Sequence, residues 1–126
     1  MPQDSISGGR AATWGRETAR AIGLHLGATD QKANSNECRL NGEAVTIKCA
    51  APNTLYVGVT YQNLERLDAV IGAFQRNDGA FDLWSVTPAQ FKALMRDSSG
   101  KNHGRVGLVS RADFERRGQR VGQVVL

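Results

Sequence analysis

The chain has 126 residues, 40% of them apolar and 22% charged, with a formal net charge of +4 at pH 7. That length suits one domain around one core, and the composition excludes a disordered segment. No apolar run nears the ~20 residues of a membrane span. The opening Met1-Pro2-Gln3-Asp4 lacks the basic and apolar stretches of a secretory leader, so the expectation is a cytoplasmic domain with no membrane partner.

Residues 1–12 are polar and contain Ser7-Gly8-Gly9, which reads as a flexible lead-in to a single domain over residues 13–126. Trp14, Thr18, Ile22 and Leu26 then recur at helical spacing, with Thr13 as a start and Gly27 as a stop. Glu17 and Arg20 share the neighbouring face of that helix. Residues 28–36 are polar loop. Glu37–Leu40 reads as a short strand, and Asn41-Gly42 is a strong hairpin turn. Residues 44–50 alternate: Val45, Ile47 and Cys49 face one way, Thr46 and Lys48 the other. A turn at Pro52-Asn53 leads to a third strand over 55–60. The first half therefore predicts a helix followed by a three-strand meander.

Residues 61–67 suggest a short helix with Leu64 and Leu67 inward. Asp68 opens a run to Phe74 with almost no polar residue, as expected of a strand at the sheet centre covered on both faces. Phe81–Val86 is a further strand. Thr87-Pro88-Ala89-Gln90 combines an N-cap, a proline at the first helical position and a capping-box glutamine, so a helix runs from there to about Arg96. A loop over 97–104, a late strand over 105–109, a short basic helix capped by Ser110 and ended by Gly118, and an edge strand in the tail complete the chain. The whole is an α/β domain, a central mixed sheet with flanking helices.

Cys38 and Cys49 read as two small buried side chains in a reducing compartment. His25 and His103 are too scattered for a zinc site. The positive charge is local: residues 101–120 alone carry a net +4, the excess of the whole chain. Lys101, His103, Arg105, Arg111, Arg116, Arg117 and Arg120 are therefore candidate phosphate contacts, since charge neutralisation and counterion release drive nucleic-acid association. A solvated basic face is the plain alternative. Tyr56 and Tyr61 flank the third strand as candidates for core packing or for stacking on a base.

The order helix, three strands, helix, strand resembles the minimal core of the PD-(D/E)XK, or restriction-endonuclease-like, nucleases, over roughly residues 13–76. In that group an acid opens one strand, an acid-x-Lys triplet closes the next, and a helix adds a further acid. Lys48 looks like the group's lysine, Glu37 stands at the first acid, Glu17 at the helical acid, and Asp68 precedes the central strand. The resemblance implies Glu37 and Glu17 as ligands to magnesium, or manganese in its place, since hard cations take oxygen ligands. It implies Lys48 as the group that orients the water or neutralises the developing oxyanion. Thr46 departs from the pattern, because it stands where the group has Asp or Glu; it would offer a hydroxyl instead. Glu17 ranks above Glu43 as the replacement acid, because Glu43 lies an odd number of residues from Lys48 and falls on the other strand face. The expectation is a metal-dependent endonuclease acting on DNA first and RNA second, as a homodimer with one site per strand. A metal-free nucleic-acid-binding module of the same fold, or a protein-interaction domain, is the alternative.

Overall fold

The computed structural model describes residues 2–32, 35–98 and 105–126. Helix α1 (Pro2–Leu26) leads into β1 (Glu37–Leu40), β2 (Glu43–Ala50) and β3 (Tyr56–Thr60). Next come α2 (Tyr61–Leu64), β4 (Ala69–Gln75), β5 (Phe81–Val86) and α3 (Pro88–Leu94). The chain closes with β6 (Arg96–Ser98), β7 (Val106–Ser110), α4 (Arg111–Arg117) and β8 (Gln119–Val124). Five strands form a mixed sheet in the order β1-β2-β4-β5-β8, and three form a second sheet in the order β3-β7-β6. Among the described residues, no helix is long and apolar enough to cross a membrane.

Local chemistry explains the boundaries. Asn41 and Gly42 take positive φ (53° and 80°), the conformation a two-residue hairpin turn requires, and β1 and β2 pair antiparallel around them. The Thr87 hydroxyl accepts from the Gln90 N–H at 3.1 Å, and the Gln90 side-chain oxygen accepts from the Thr87 N–H at 2.9 Å. That reciprocal pair starts α3 where the sequence places it. Ser110 caps α4 by accepting from the Asp113 N–H at 3.1 Å.

Two apolar layers sandwich the main sheet. On one face, Ala19 and Ile22 of α1 pack on Val45, Ile47, Ile71, Ala73 and Leu83. The stripe of Thr18 and Ile22 is buried, with Trp14 and Leu26 half-buried beside it. On the other face, Val70 and Phe74 meet α2, α3, α4 and the second sheet through Leu64, Phe91, Phe114, Val57 and Val109. Phe114 stands edge-on to both Phe74 and Phe91, with centroids 5.3 and 6.3 Å away, which ties α3 and α4 to the sheet. Gly72 makes room for that cluster: a Cβ there would sit 2.6 Å from the Phe74 ring. As its composition predicts, β4 is the central strand.

Four expectations change. The three strands do not form a meander: β2 pairs in parallel with β4, and β3 leaves to pair antiparallel with β7 in the second sheet. Residues 2–12, expected as a lead-in, are the first turns of α1. Helix α3 ends at Leu94, and Arg96–Ser98, expected as helix end and loop, forms β6 against β7. The backbone of Met95 turns extended (φ −72°, ψ 150°), which starts that short strand.

Candidate functional site at the outer edge of the sheet

The outer edge of the main sheet is stepped. Strand β1 covers only the first half of β2, from Leu40 opposite Glu43 to Glu37 opposite Thr46. Just beyond it, the Asn36 carbonyl accepts the Ile47 N–H at 3.0 Å and the Thr46 hydroxyl at 3.4 Å. Past that point β1 no longer shields β2, and α1 crosses the gap with Ala12, Gly15 and Arg16.

A cavity of about 340 Å³ opens there, lined by those three residues, by Ser35, Asn36, Glu37, Thr46 and Lys48, and by Asn63 of α2. Its volume lies at the lower end of ligand pockets, about 300–1,000 Å³. A neighbouring cavity of about 190 Å³ on the α1 side is lined by Thr13, Glu17, Arg20 and Lys32, and by Arg16, Ser35, Asn36 and Glu37 again. The two therefore share one wall, Arg16 with Ser35–Glu37. The structure brings Glu37, Thr46 and Lys48 together in the larger cavity. Glu17 lies in the smaller one, which shares only that wall with the larger.

Glu37 is the pivot of this arrangement. Its backbone is fixed on both sides: its N–H donates to the Ser35 hydroxyl at 3.3 Å and its carbonyl accepts the Lys32 N–H at 3.0 Å. Its side chain is only 14% exposed, and its carboxylate takes both arms of the Arg66 guanidinium, Nη2 at 2.5 Å and Nε at 3.3 Å. That two-point, charge-assisted geometry is the strong form of an ion pair. The carboxylate in turn holds the Arg66 guanidinium above its ordinary pKa.

Lys48 sits on the same strand face as Glu37, two residues past Thr46 along β2. Burial pushes its ammonium below the usual lysine pKa, and the Glu37 charge opposes that shift. Among the described residues Lys48 forms no ion pair within 4 Å, so its charge is balanced through space rather than by contact. Thr46 is buried (3%), with its hydroxyl directed at the Asn36 carbonyl, so at this depth a neutral side chain stands where the resemblance calls for a carboxylate.

Oxygen donors line both cavities: Glu37, Ser35 and Asn36 on the shared wall, Glu17 in the smaller cavity and Thr46 in the larger. Among the described residues no three His, Cys, Asp or Glu side chains gather closely enough to hold a metal. Magnesium keeps several waters and takes further oxygens from a substrate phosphate, so it can use few protein ligands, but the Glu37 carboxylate is already engaged by Arg66. A cation there would supply Lewis acidity toward the phosphate, with Glu37 and Glu17 as its holders.

The remaining predicted residues take other roles. The Asp68 carboxylate accepts the Ala44 N–H at 2.8 Å while its own N–H donates to the Ala44 carbonyl at 2.7 Å, so it staples the start of β2 to β4. Cys38 and Cys49 are free thiols; burial raises both, Cys49 to about 12. His25 is exposed on the last turn of α1.

Most of the described basic residues of the 101–120 segment have acidic partners. Arg105 pairs with Asp97 at 3.4 Å and lies 4.8 Å over the Tyr61 ring, whose hydroxyl donates to the same carboxylate at 3.0 Å. Arg116 pairs with Asp113 at 2.7 Å. Arg111 and Arg120 approach Asp82 at 3.6 and 3.7 Å, and Arg111 also meets Glu115 at 3.5 Å. Arg117 has no ion pair among the described residues. Lys101 and His103 lie outside the described residues. Tyr56 is 39% exposed with Arg96 stacked 4.8 Å above it.

Sequence reasoning missed Arg66, Arg16, Asn36 and Asn63. Only Arg66 carried a signal, as a lone cation in the short polar stretch between Leu64 and Leu67. Comparison with protein-family models, with curated proteins and with solved structures yields no match.

Proposed function

We propose that the chain is a restriction-endonuclease-like nucleic-acid domain whose edge cavity takes a phosphodiester of DNA and hydrolyses it with a divalent cation, magnesium or manganese. The observation that carries this reading is the placement of Glu37 on the wall between two cavities, with Lys48 and Thr46 on one side and Glu17 on the other. Support also comes from a mixed sheet in which β1 and β2 pair antiparallel and β2 runs parallel to the next strand, with α1 against one face. In this reading Glu37 and Glu17 hold the cation. Lys48, partly desolvated, orients the attacking water or meets the developing oxyanion. Arg16 and the side chains of Asn36 and Asn63 supply donors to the phosphate. Cleavage of both strands would use two copies of the chain, and the two free cysteines suit a reducing compartment.

The bidentate Arg66–Glu37 pair favours a second reading, a binding module with no chemistry, because a carboxylate occupied by a guanidinium is a poor cation ligand. Plasmid nicking separates the two. The expected result is nicking with magnesium or manganese by the native chain and none by Lys48→Ala. Absence of nicking by the native chain across metals and pH, with DNA binding that needs no divalent ion, removes the enzyme reading.

A further inference from the structure

We infer that the larger edge cavity is a metal-free site for a phosphate monoester dianion, held directly by Lys48, Arg16 and the side-chain amides of Asn36 and Asn63. No metal takes part, so the site goes beyond the metal-dependent reading and stands or falls apart from it. Charge on the cavity wall is unbalanced. The Glu37 carboxylate is taken by both arms of Arg66, which leaves that pair neutral. Lys48 and Arg16 line the same cavity, and among the described residues neither forms an ion pair. Glu17 lines only the neighbouring cavity, where Arg20 and Lys32 accompany it. Lys48 is half-buried, and burial pushes its ammonium below the usual lysine pKa. An ammonium drawn out of water without an acid in contact is costly, and an anion in the cavity would remove that cost.

The donors suit a tetrahedral oxyanion. Lys48 comes from β2, Arg16 from α1 and Asn63 from α2, so they reach the cavity from three elements. Arginine recognises phosphate with a two-point fork and lysine as a point charge. The backbones of both asparagines are engaged: the Asn36 carbonyl accepts the Ile47 N–H at 3.0 Å, and the Asn63 N–H donates to the Thr60 hydroxyl at 3.1 Å. Their side-chain amides have no hydrogen-bond partner among the described residues and can donate to a ligand. Two unmatched positive charges fit a monoester, which carries nearly two negative charges at pH 7, better than a backbone diester, which carries one.

Calorimetry on the full chain with EDTA present tests the site. The probes are inorganic phosphate, a nucleoside 5′-monophosphate, and a short DNA strand with either a 5′-phosphate or a 5′-hydroxyl. The first three should bind, and the tightest of them names the source of the phosphate. The hydroxyl strand should bind about tenfold more weakly than its phosphorylated twin. Thermal melts check that each variant is folded. Lys48→Met should weaken binding of the monophosphate about tenfold, and the more exposed Arg16→Gln about threefold. Lys92→Gln, which removes a surface cation of α3, should leave binding unchanged. Glu37→Gln takes a negative charge from the wall and should hold or tighten phosphate, the opposite of its effect on a metal site. No binding of any probe, equal binding of the two strands, equal losses in Lys92→Gln and Lys48→Met, or loss of binding in folded Glu37→Gln overturns the site. Binding that appears only when magnesium is added also overturns it and favours the metal-dependent reading. Metal-free binding by a chain that never nicks plasmid keeps the site and removes that reading.

Discussion

Two carboxylates in this fold are each ringed by cations, and the rings differ in kind. Asp82 on β5 is approached by Arg76, Arg111 and Arg120 at 3.6–3.9 Å, and Asp78 and Glu115 share the load by pairing with Arg76 and Arg111. Three arginines thus meet three acids in a half-exposed, self-neutralising network. Glu37 faces Arg66 at full contact, and Lys48 feels its charge across the cavity with no acid of its own in contact. The first arrangement ties β5, α4 and β8 together. The second leaves a partly desolvated ammonium beside a cavity, which is costly for stability and useful for chemistry. Clustering of basic residues in sequence drew attention to the first region, where Arg111 and Arg120 have acids in reach, whereas Lys48 in the second has no acid in contact among the described residues.

Removing the acid from each ring is the largest test of that contrast. Glu37→Ala strands Lys48 without its counter-charge and should cost about 2 kcal/mol in urea unfolding, with little relief from added salt. Asp82→Ala releases three arginines that still have two other acids and much exposure, so about 1 kcal/mol is expected, and salt should shrink it. Adding Lys48→Met to Glu37→Ala should recover most of the first loss. Equal costs with equal salt dependence would erase the distinction between the two rings.

Lys48 gives a second, pH-resolved test. Burial lowers its pKa in the folded chain relative to the unfolded value near 10.4. Folding therefore opposes its proton, and the penalty is complete at pH values below the folded pKa. It is relieved as pH rises through the folded value toward the unfolded one. Lys48→Met lacks the penalty, so it should be more stable than the native chain by about 1 kcal/mol at pH 7. The advantage should shrink as pH approaches 10. Cys49, adjacent in β2 and pushed up to about 12, stays a thiol through that window and does not confuse the comparison. An advantage that grows with pH would mean that Lys48 gains more from Glu37 than it loses by desolvation.

What the sequence disclosed and what it withheld follow from range. The capping box at Thr87–Gln90, the Asn41-Gly42 turn and the apolar run of β4 are set by residues a few positions apart, and each appears where the sequence placed it. The departure of β3 was not legible, because its partner β7 lies some fifty residues downstream and nothing in Tyr56–Thr60 says which neighbour it prefers. The same holds for the site. Glu37, Thr46 and Lys48 share a face because strand alternation and one hairpin fix it. Arg66 reaches Glu37 across 29 residues, and Arg16 arrives only because α1 crosses the step left by the short β1. The ion pairs of the basic segment were out of reach for the same reason: Asp97 and Asp82, which pair with Arg105, Arg111 and Arg120, come from β6 and β5.

The smallest expected effects lie within that segment, and they decide how much of it touches phosphate. Arg117 has no acid partner among the described residues and points the excess charge of α4 outward, whereas Arg111 is held by Asp82 and Glu115. If nucleic acid lies along α4, replacing Arg117 with alanine should flatten the log-affinity against log-salt slope by about 0.9, one counterion on duplex DNA. Arg111→Ala should change the slope by much less, since its charge is already offset and no counterion is released from it. Fluorescence anisotropy with a short duplex from about 50 to 200 mM salt measures both. Equal slope changes would mean that the Asp82 network opens on binding and lends its arginines to the phosphates. No change from either would move the nucleic-acid surface away from α4, to the Arg16 and Lys48 side of the sheet edge.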